Sequence, residues 1–153
     1  MMAKDVMSRD VAACAQSDDG AAAARIMWDR DCGSVPVIGG DRRVVGIVTD
    51  RDLCMAAYLR GVGLREIPLE SVMTWNPRTC AVDDPIASVE AAMAEAQVRR
   101  IPVTDVDGYL QGIISINDLA RARARSRGRH DDVTTTLAAI CEPRGVAELH
   151  ASA

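Results

Sequence analysis

Residues 6–56 and 72–122 carry one pattern twice, aligned without a gap at a constant shift of 66 positions. Fifteen residues meet their own kind across that shift: Val6, Met7, Cys14, Ala15, Asp18, Ala21, Met27, Pro36, Val37, Asp41, Gly46, Ile47, Asp52, Leu53 and Ala56. A register held over about fifty residues marks a tandem duplication, and it constrains the fold before any local signal does. The chain has 153 residues, so each copy alone is near the lower limit for an independent core, and the two are expected to share one. Aromatics make up only 3 % and phenylalanine is absent, so that core must be built from alanine, valine, isoleucine, leucine and methionine.

Each copy gives the same order of elements. In the second, Asp84 and Pro85 suit an N-cap and first turn, and Ile86, Val89 and Met93 recur at helical spacing, which predicts a helix over 85–97. In the first, Ser17, Asp18 and Asp19 open a helix containing Ala22, Ile26 and Met27, with a run of four alanines that permits close approach. Two β-rich stretches follow, "SVPVI" and "RVVGIVT" in one copy, "RIPVT" and "YLQGIIS" in the other. Glycine and aspartate between them signal hairpins. Pro36 and Pro102 cannot donate to a ladder, which predicts an edge strand or one whose NH side is free. After Thr49 and Ser115 the pattern is helical again. The expected fold class is α/β (α+β), each unit running extended lead-in, helix, strand, strand, helix.

The strand-to-helix junctions "GIVTDRDL" and "GIISINDL" carry the chemistry. A hydroxyl at the N-cap with an acid three residues on forms a capping box, which needs no ligand and contributes about 0.5 to 2 kcal/mol. The same residues suit a nucleotide. Free NH groups and the positive end of a helix dipole attract phosphate, with the hydroxyl as an extra donor. A carboxylate one turn in accepts from the two hydroxyls of a sugar. Glycine on the preceding strand lets a flat group approach the backbone.

The hydrophobic-Pro-Val strands, the Gly-hydrophobic-hydrophobic-Thr/Ser-x-x-Asp junctions and the "VM[ST]" opening of each copy together resemble CBS domains, in the tandem arrangement called a Bateman module. The resemblance covers about residues 5 to 124 and points to short stand-alone bacterial CBS-pair proteins. It implies two βαββα repeats, 5–60 and 71–124, joined by a linker at 61–70 and packed through their sheets about a pseudo-twofold axis. The clefts so formed hold adenosine-containing ligands in the family: AMP, ADP, ATP, NAD or S-adenosylmethionine, none of them a required cofactor. By resemblance, Asp52 and Asp118 each hold a ribose, Thr49 and Ser115 contact phosphate, and Arg51 and Asn117 face the cleft. Val35, Pro36 and Val37, Ile101, Pro102 and Val103, and the openings around Ser8 and Thr74 frame the adenine with backbone groups. Arg99 and Arg100, where the first copy has Gly33 and Ser34, predict that the cleft of Asp118 favours a phosphorylated adenosine and that the two sites are unequal. The resemblance further implies a regulatory module that dimerises with itself and signals to an unknown protein partner.

Other functions find little support. The net charge is -4 and the pI about 5.1, against a general polyanion-binding surface. No stretch approaches the roughly 18 to 20 apolar residues of a membrane span, and the N-terminus lacks an export signal, so a cytoplasmic location is expected. No phosphate-binding loop, dinucleotide fingerprint, H-E-x-x-H or G-x-S-x-G occurs. The two histidines fall in the last 24 residues, so no catalytic residues are assigned and the chain is expected not to be an enzyme. Cys14, Cys32, Cys54, Cys80 and Cys141 form no C-x-x-C pair and are expected to be buried reduced thiols with no metal role.

The region 125–153 is expected to form a basic linker and a short helix. The arginines at 121, 123, 125, 127 and 129 alternate, which scatters them around a helix, so a solvated helix end is expected and a nucleic-acid contact is the alternative. Val133, Leu137, Ile140 and Cys141 predict a short amphipathic helix ended by "EPRG" at 142–145, covering the chain's own core or a dimer mate. A ligand-independent interaction module, with junctions that only cap helices, is the other rival to ligand sensing.

Overall fold

The computed structural model describes residues 1–125 and 131–141. Its architecture is mixed α/β with two small sheets, one per repeat. The first copy runs α1 (Ala3–Val6), β1 (Cys14–Ala15), α2 (Gly20–Asp29), β2 (Ser34–Ile38), β3 (Val44–Thr49) and α3 (Asp50–Arg60). Two 3-10 turns, Leu64–Glu66 and Leu69–Ser71, lead to β4 (Thr74–Trp75), β5 (Cys80–Ala81), α4 (Ile86–Glu95), β6 (Arg100–Thr104), β7 (Leu110–Ser115), α5 (Ile116–Arg125) and α6 (Asp131–Ile140).

The hairpins repeat one register. Pro36 stands opposite Ile47 in β2–β3, and Pro102 opposite Ile113 in β6–β7. β1 and β5 add in parallel on the other side of β2 and β6. The proline strands are therefore internal, not edges. They tolerate proline because β1 and β5 are two residues long and reach Val37–Ile38 and Val103–Thr104, beyond the prolines.

The lead-in segments are exchanged between the copies. β4 opens the second copy, yet it pairs antiparallel with β3 of the first, Thr74 opposite Ile47. Reciprocally, the Ser8 amide donates to the Ile113 carbonyl at 3.0 Å and the Ile113 amide returns the bond at 3.0 Å. Upstream, the Ala3 amide donates to the Asp84 carbonyl and the Leu69 amide to the Asp18 carbonyl, at 2.9 and 3.0 Å, again 66 residues apart on both sides.

This exchange replaces the single shared core expected from length with two. Ala3 and Met7 of the first lead-in are buried with Met93, Ile101, Val103, Ile114 and Leu119 of the second copy. Leu69 and Met73 are buried with Met27, Val35, Val37, Val48 and Leu53 of the first. The helices and sheet of a copy leave a gap on the sheet's helical side, and the other copy's lead-in fills it. Each such fully buried leucine or methionine stabilises by about 1.5 to 3 kcal/mol.

Local caps differ in part from expectation. Asp19 caps α2 by accepting from the Ala22 amide at 2.9 Å. α4 instead has Pro85 at its N-cap and no side-chain cap. Asp84 turns back to accept from the Ala81 amide at 2.8 Å, as its counterpart Asp18 does from Ala15, so both acids hold the turn after β5 and β1. The Gly61 residue that ends α3 has φ 64°, the left-handed C-terminal stop that glycine suits.

Among the described residues, the helical face of the second copy is covered and that of the first is not. α6 packs on α4 and α5 and buries Ile140. Leu137 and Cys141 are exposed, while the Val133 side chain and the "EPRG" stop lie outside the described residues. On α3, Met55, Tyr58 and Leu59 form an exposed apolar stripe, and Trp28 on α2 is 87 % exposed. Of the five thiols only Cys14 and Cys80 are buried, and Cys32 partly; Cys54 and Cys141 are exposed, which corrects the expectation for them. Among the described residues no helix is long and apolar enough to cross a membrane.

Candidate functional site

Both junctions form the full capping box. At the start of α3, Asp52 Oδ2 accepts from the Thr49 amide at 2.8 Å and from the Thr49 hydroxyl at 2.7 Å, while the Asp52 amide donates to Thr49 Oγ1 at 3.1 Å. At α5, Asp118 Oδ2 accepts from the Ser115 amide at 2.8 Å and from its hydroxyl, and the Asp118 amide donates to Ser115 Oγ at 3.2 Å. Each hydroxyl thus directs its one proton to its own aspartate, and the α3 amides that the sequence suggests for a phosphate are already taken: that of Asp50 donates to the Gly33 carbonyl at 3.1 Å and that of Arg51 to Asp50 Oδ1 at 2.8 Å, while at α5 the Ile116 amide donates to the Arg99 carbonyl at 3.0 Å.

The second carboxylate oxygen distinguishes the copies. Among the described residues no donor reaches Asp52 Oδ1, whereas Asp118 Oδ1 accepts from Arg121 Nη2. Asp118 is 8 % exposed and Asp52 half-buried. Arg51 and Asn117, next to the acids on the first helical turns, are exposed.

The exchanged lead-ins make each neighbourhood composite. Thr74 of the second copy pairs with Ile47, two residues before Thr49, and Ser8 of the first pairs with Ile113, two before Ser115. Asp118 accordingly lines a recess of about 200 Å³ with Asp5, Val6, Arg121 and Ala122, which is below the roughly 300 to 1,000 Å³ of sites that enclose a whole small molecule. A larger open groove of about 590 Å³, bordered by Asn76, Pro77, Arg78, Thr79, Glu95 and Ala96, contains none of the motif residues.

The glycines serve a purpose other than the close approach of a flat ligand. A Cβ on Gly46 would stand 2.5 Å from Met73 Sδ, and one on Gly112 would stand 2.7 Å from Met7 Sδ and 2.8 Å from the Ser8 carbonyl oxygen. The space that glycine leaves is taken by the other copy's lead-in methionine. Val35, Val37, Ile101 and Val103 direct their side chains into the two cores, and Pro36 and Pro102 are buried too, leaving backbone as what these strands offer a ligand.

The arginines fall differently from the expectation. Arg99 is exposed. Arg100 Nη1 comes to 3.4 Å from where a Cβ on Gly33 would stand, and Asp50 Oδ2 to 3.0 Å from the same point. Its guanidinium is therefore at the start of α3, in the first copy, not at the helix of Asp118. Next to it, the Ser34 hydroxyl is buried and makes no hydrogen bond within the described structure. Arg121 and Arg123 are not simply solvated: Arg123 forms a bidentate pair with the buried Glu90, joining α5 to α4. Their sequence signal was the spacing Asp118–Arg121, visible beside Asp52–Met55 in the other copy. Among the described residues no group of three histidine, cysteine or acidic side chains could hold a metal ion.

Comparison with known proteins gives the same account of the repeats. The family profile described as CBS domain matches twice, at residues 3–58 and 69–125. The chain is 37 % identical over 121 residues to the uncharacterised protein YlbB of Bacillus subtilis, covering 76 % of this chain and 78 % of that one. It is 37 % identical over 102 residues, 67 % of its own length, to an uncharacterised 17.7 kDa protein of Acidianus ambivalens, and spans 60 % of that protein. Among solved structures, the CBS domain pair of protein MJ0100 in complex with 5'-methylthioadenosine and S-adenosyl-L-methionine superposes with a TM-score of 0.70 at 25 % identity, over 81 % of this chain and 96 % of that one.

Proposed function

The chain belongs to the CBS domain family as a tandem pair, and from that premise we propose that it is a regulatory module whose clefts bind an adenosine-containing ligand: AMP, ADP, ATP, NAD or S-adenosylmethionine. The observation that carries this reading is Asp52. Its Oδ2 is used in the cap and its Oδ1 meets no donor among the described residues, at a helix start beside Arg51 and at the end of a strand, β3, that pairs with the other copy's β4. A ribose offers the donors such an acceptor takes, and the Arg51 and Arg100 side chains suit a phosphate. On this reading the phosphate preference belongs to the Asp52 cleft, and the position of Arg100 beside Asp50 supports that assignment over the Asp118 cleft. The adenosyl ligands of the MJ0100 pair support the same class.

Occupancy acts on a partner only through different affinities for two arrangements of the protein. The exposed α2–α3 face, whose counterpart on the second copy α6 covers, supports a homodimer that meets through the first copies. Catalysis has no part in this reading.

Calorimetry with the five ligands on the wild type, Asp52→Ala and Asp118→Ala tests it. A ligand at a hundred times its Kd raises stability by about 2.7 kcal/mol, and Asp52→Ala is expected to weaken binding at least about tenfold while Thr49→Ala, which damages only the cap, weakens it less. Wild-type protein that gives neither heat nor a thermal shift with any of the five favours the ligand-independent module, for which the completed capping boxes are the supporting observation.

A further inference from the structure

Positions 55 and 121 are equivalents across the 66-residue shift, methionine in one copy and arginine in the other. A ribose diol needs acceptor capacity on the carboxylate that faces it, and the capping box has already taken Oδ2 of both acids. At Asp52 the other oxygen is open; at Asp118 it receives the Arg121 guanidinium. Arg121 also lines the small recess at Asp118, together with Asp5, whose carboxylate accepts from the Met2 amide at 2.8 Å. We propose that Arg121 is a latch that competes with ribose for Asp118, making the second cleft the weaker of two, so that the clefts fill at different ligand concentrations. The latch can open: Arg121 is 67 % exposed, and swinging into solvent frees Oδ1 and widens the recess at once. An exchange between a partly solvated ion pair and a sugar hydroxyl costs affinity modestly, by about three- to tenfold.

This inference rests on the adenosyl-binding reading, and its test separates the two. In an Asp52→Ala background only the second cleft reports, and adenosine, which has no phosphate for an arginine to attract, is the probe. Arg121→Met, restoring the first copy's residue, is expected to tighten adenosine binding about three- to tenfold by calorimetry. The reciprocal Met55→Arg, made in an Asp118→Ala background at a site 42 % exposed, is expected to weaken the first cleft by a similar factor. Unchanged or weaker binding on Arg121→Met, or two equal sites in the wild type, overturns the latch and leaves the sensor reading standing. Absence of binding to wild type and to every variant overturns both.

Discussion

Met73 of the second repeat lies against Gly46 of the first so closely that a Cβ there would stand 2.5 Å from its sulfur, and Met7 repeats this contact at Gly112. The pair explains why glycine and the "VM[ST]" opening occur together in each copy. They are two halves of one contact, made twice between copies.

Alanine at these glycines is therefore expected to destabilise, against the gain of about 0.4 to 1 kcal/mol that a glycine-to-alanine change gives where there is room. Gly46→Ala meets a flexible methionine tip and is expected to cost about 1 kcal/mol; Gly112→Ala also meets the Ser8 carbonyl at 2.8 Å, a backbone atom, and is expected to cost about 2 to 3 kcal/mol. Urea unfolding of both variants measures this, and a Gly112→Ala protein no less stable than Gly46→Ala would contradict the contact.

The Glu90–Arg123 pair belongs to the second copy alone; Ala24 and Ala57 occupy the equivalent positions of the first. Glu90→Ala removes the bidentate acceptor of a guanidinium that is 20 % exposed and is expected to cost about 1 to 3 kcal/mol. Glu90→Ala with Arg123→Ala reproduces the first copy's arrangement, and the double variant is expected to lose less than the sum of the singles. A double-mutant cycle by denaturant unfolding decides it; additive losses would mean that the charges do not act as a pair.

Burial pushes the Cys14 thiol up to about 11 and the Cys80 thiol up to about 12, from a usual value of 9.0, with Asp18 and Asp84 respectively adding to the effect. The folded chain holds these protons after the unfolded chain has released them, so their contribution to stability is complete below about pH 9 and is lost as pH rises towards 11 to 12. Cys14→Ser with Cys80→Ser is expected to flatten that alkaline decline. At neutral pH a thiol reagent is expected to modify Cys54 in the folded protein and to reach Cys14 and Cys80 only on unfolding, as peptide mapping would report.

A homodimer through the first copy's helices is expected to fall apart when charge is placed on the stripe. Tyr58→Lys with Leu59→Lys, both at exposed positions, should leave the circular dichroism spectrum unchanged and convert dimer to monomer in light scattering. A dimer mass unaffected by the pair would move the interface elsewhere.

The repeat, the order of elements and the hairpins were legible because each is a local or constant-register signal: Pro36 to Pro102 and Gly46 to Gly112 state the duplication outright. The junction acids were legible as both cap and candidate ligand, and both roles remain compatible with Asp52. What could not be read was partnership across space. Nothing in the spacing of Met7 or Met73 says that its segment joins the other copy's sheet, so the glycines looked like room for a ligand. Arg100 reads as serving its own copy's acid because sequence offers no measure of a side chain's reach, and the structure brings it to Gly33 and Asp50 of the other. Asp84 resembled an N-cap because its helix begins one residue later than the pattern suggested. Cys54 and Cys141 were expected inside on the habits of their residue type, which a position on a helix's outer face overrules.

The traded lead-ins also restrict how the molecule can respond to anything that reaches it. Because each half is stitched by backbone bonds into its neighbour's sheet, the halves cannot gape like a hinge without tearing those seams. Any rearrangement a ligand induces must therefore move the two halves together, with their shared seams unbroken.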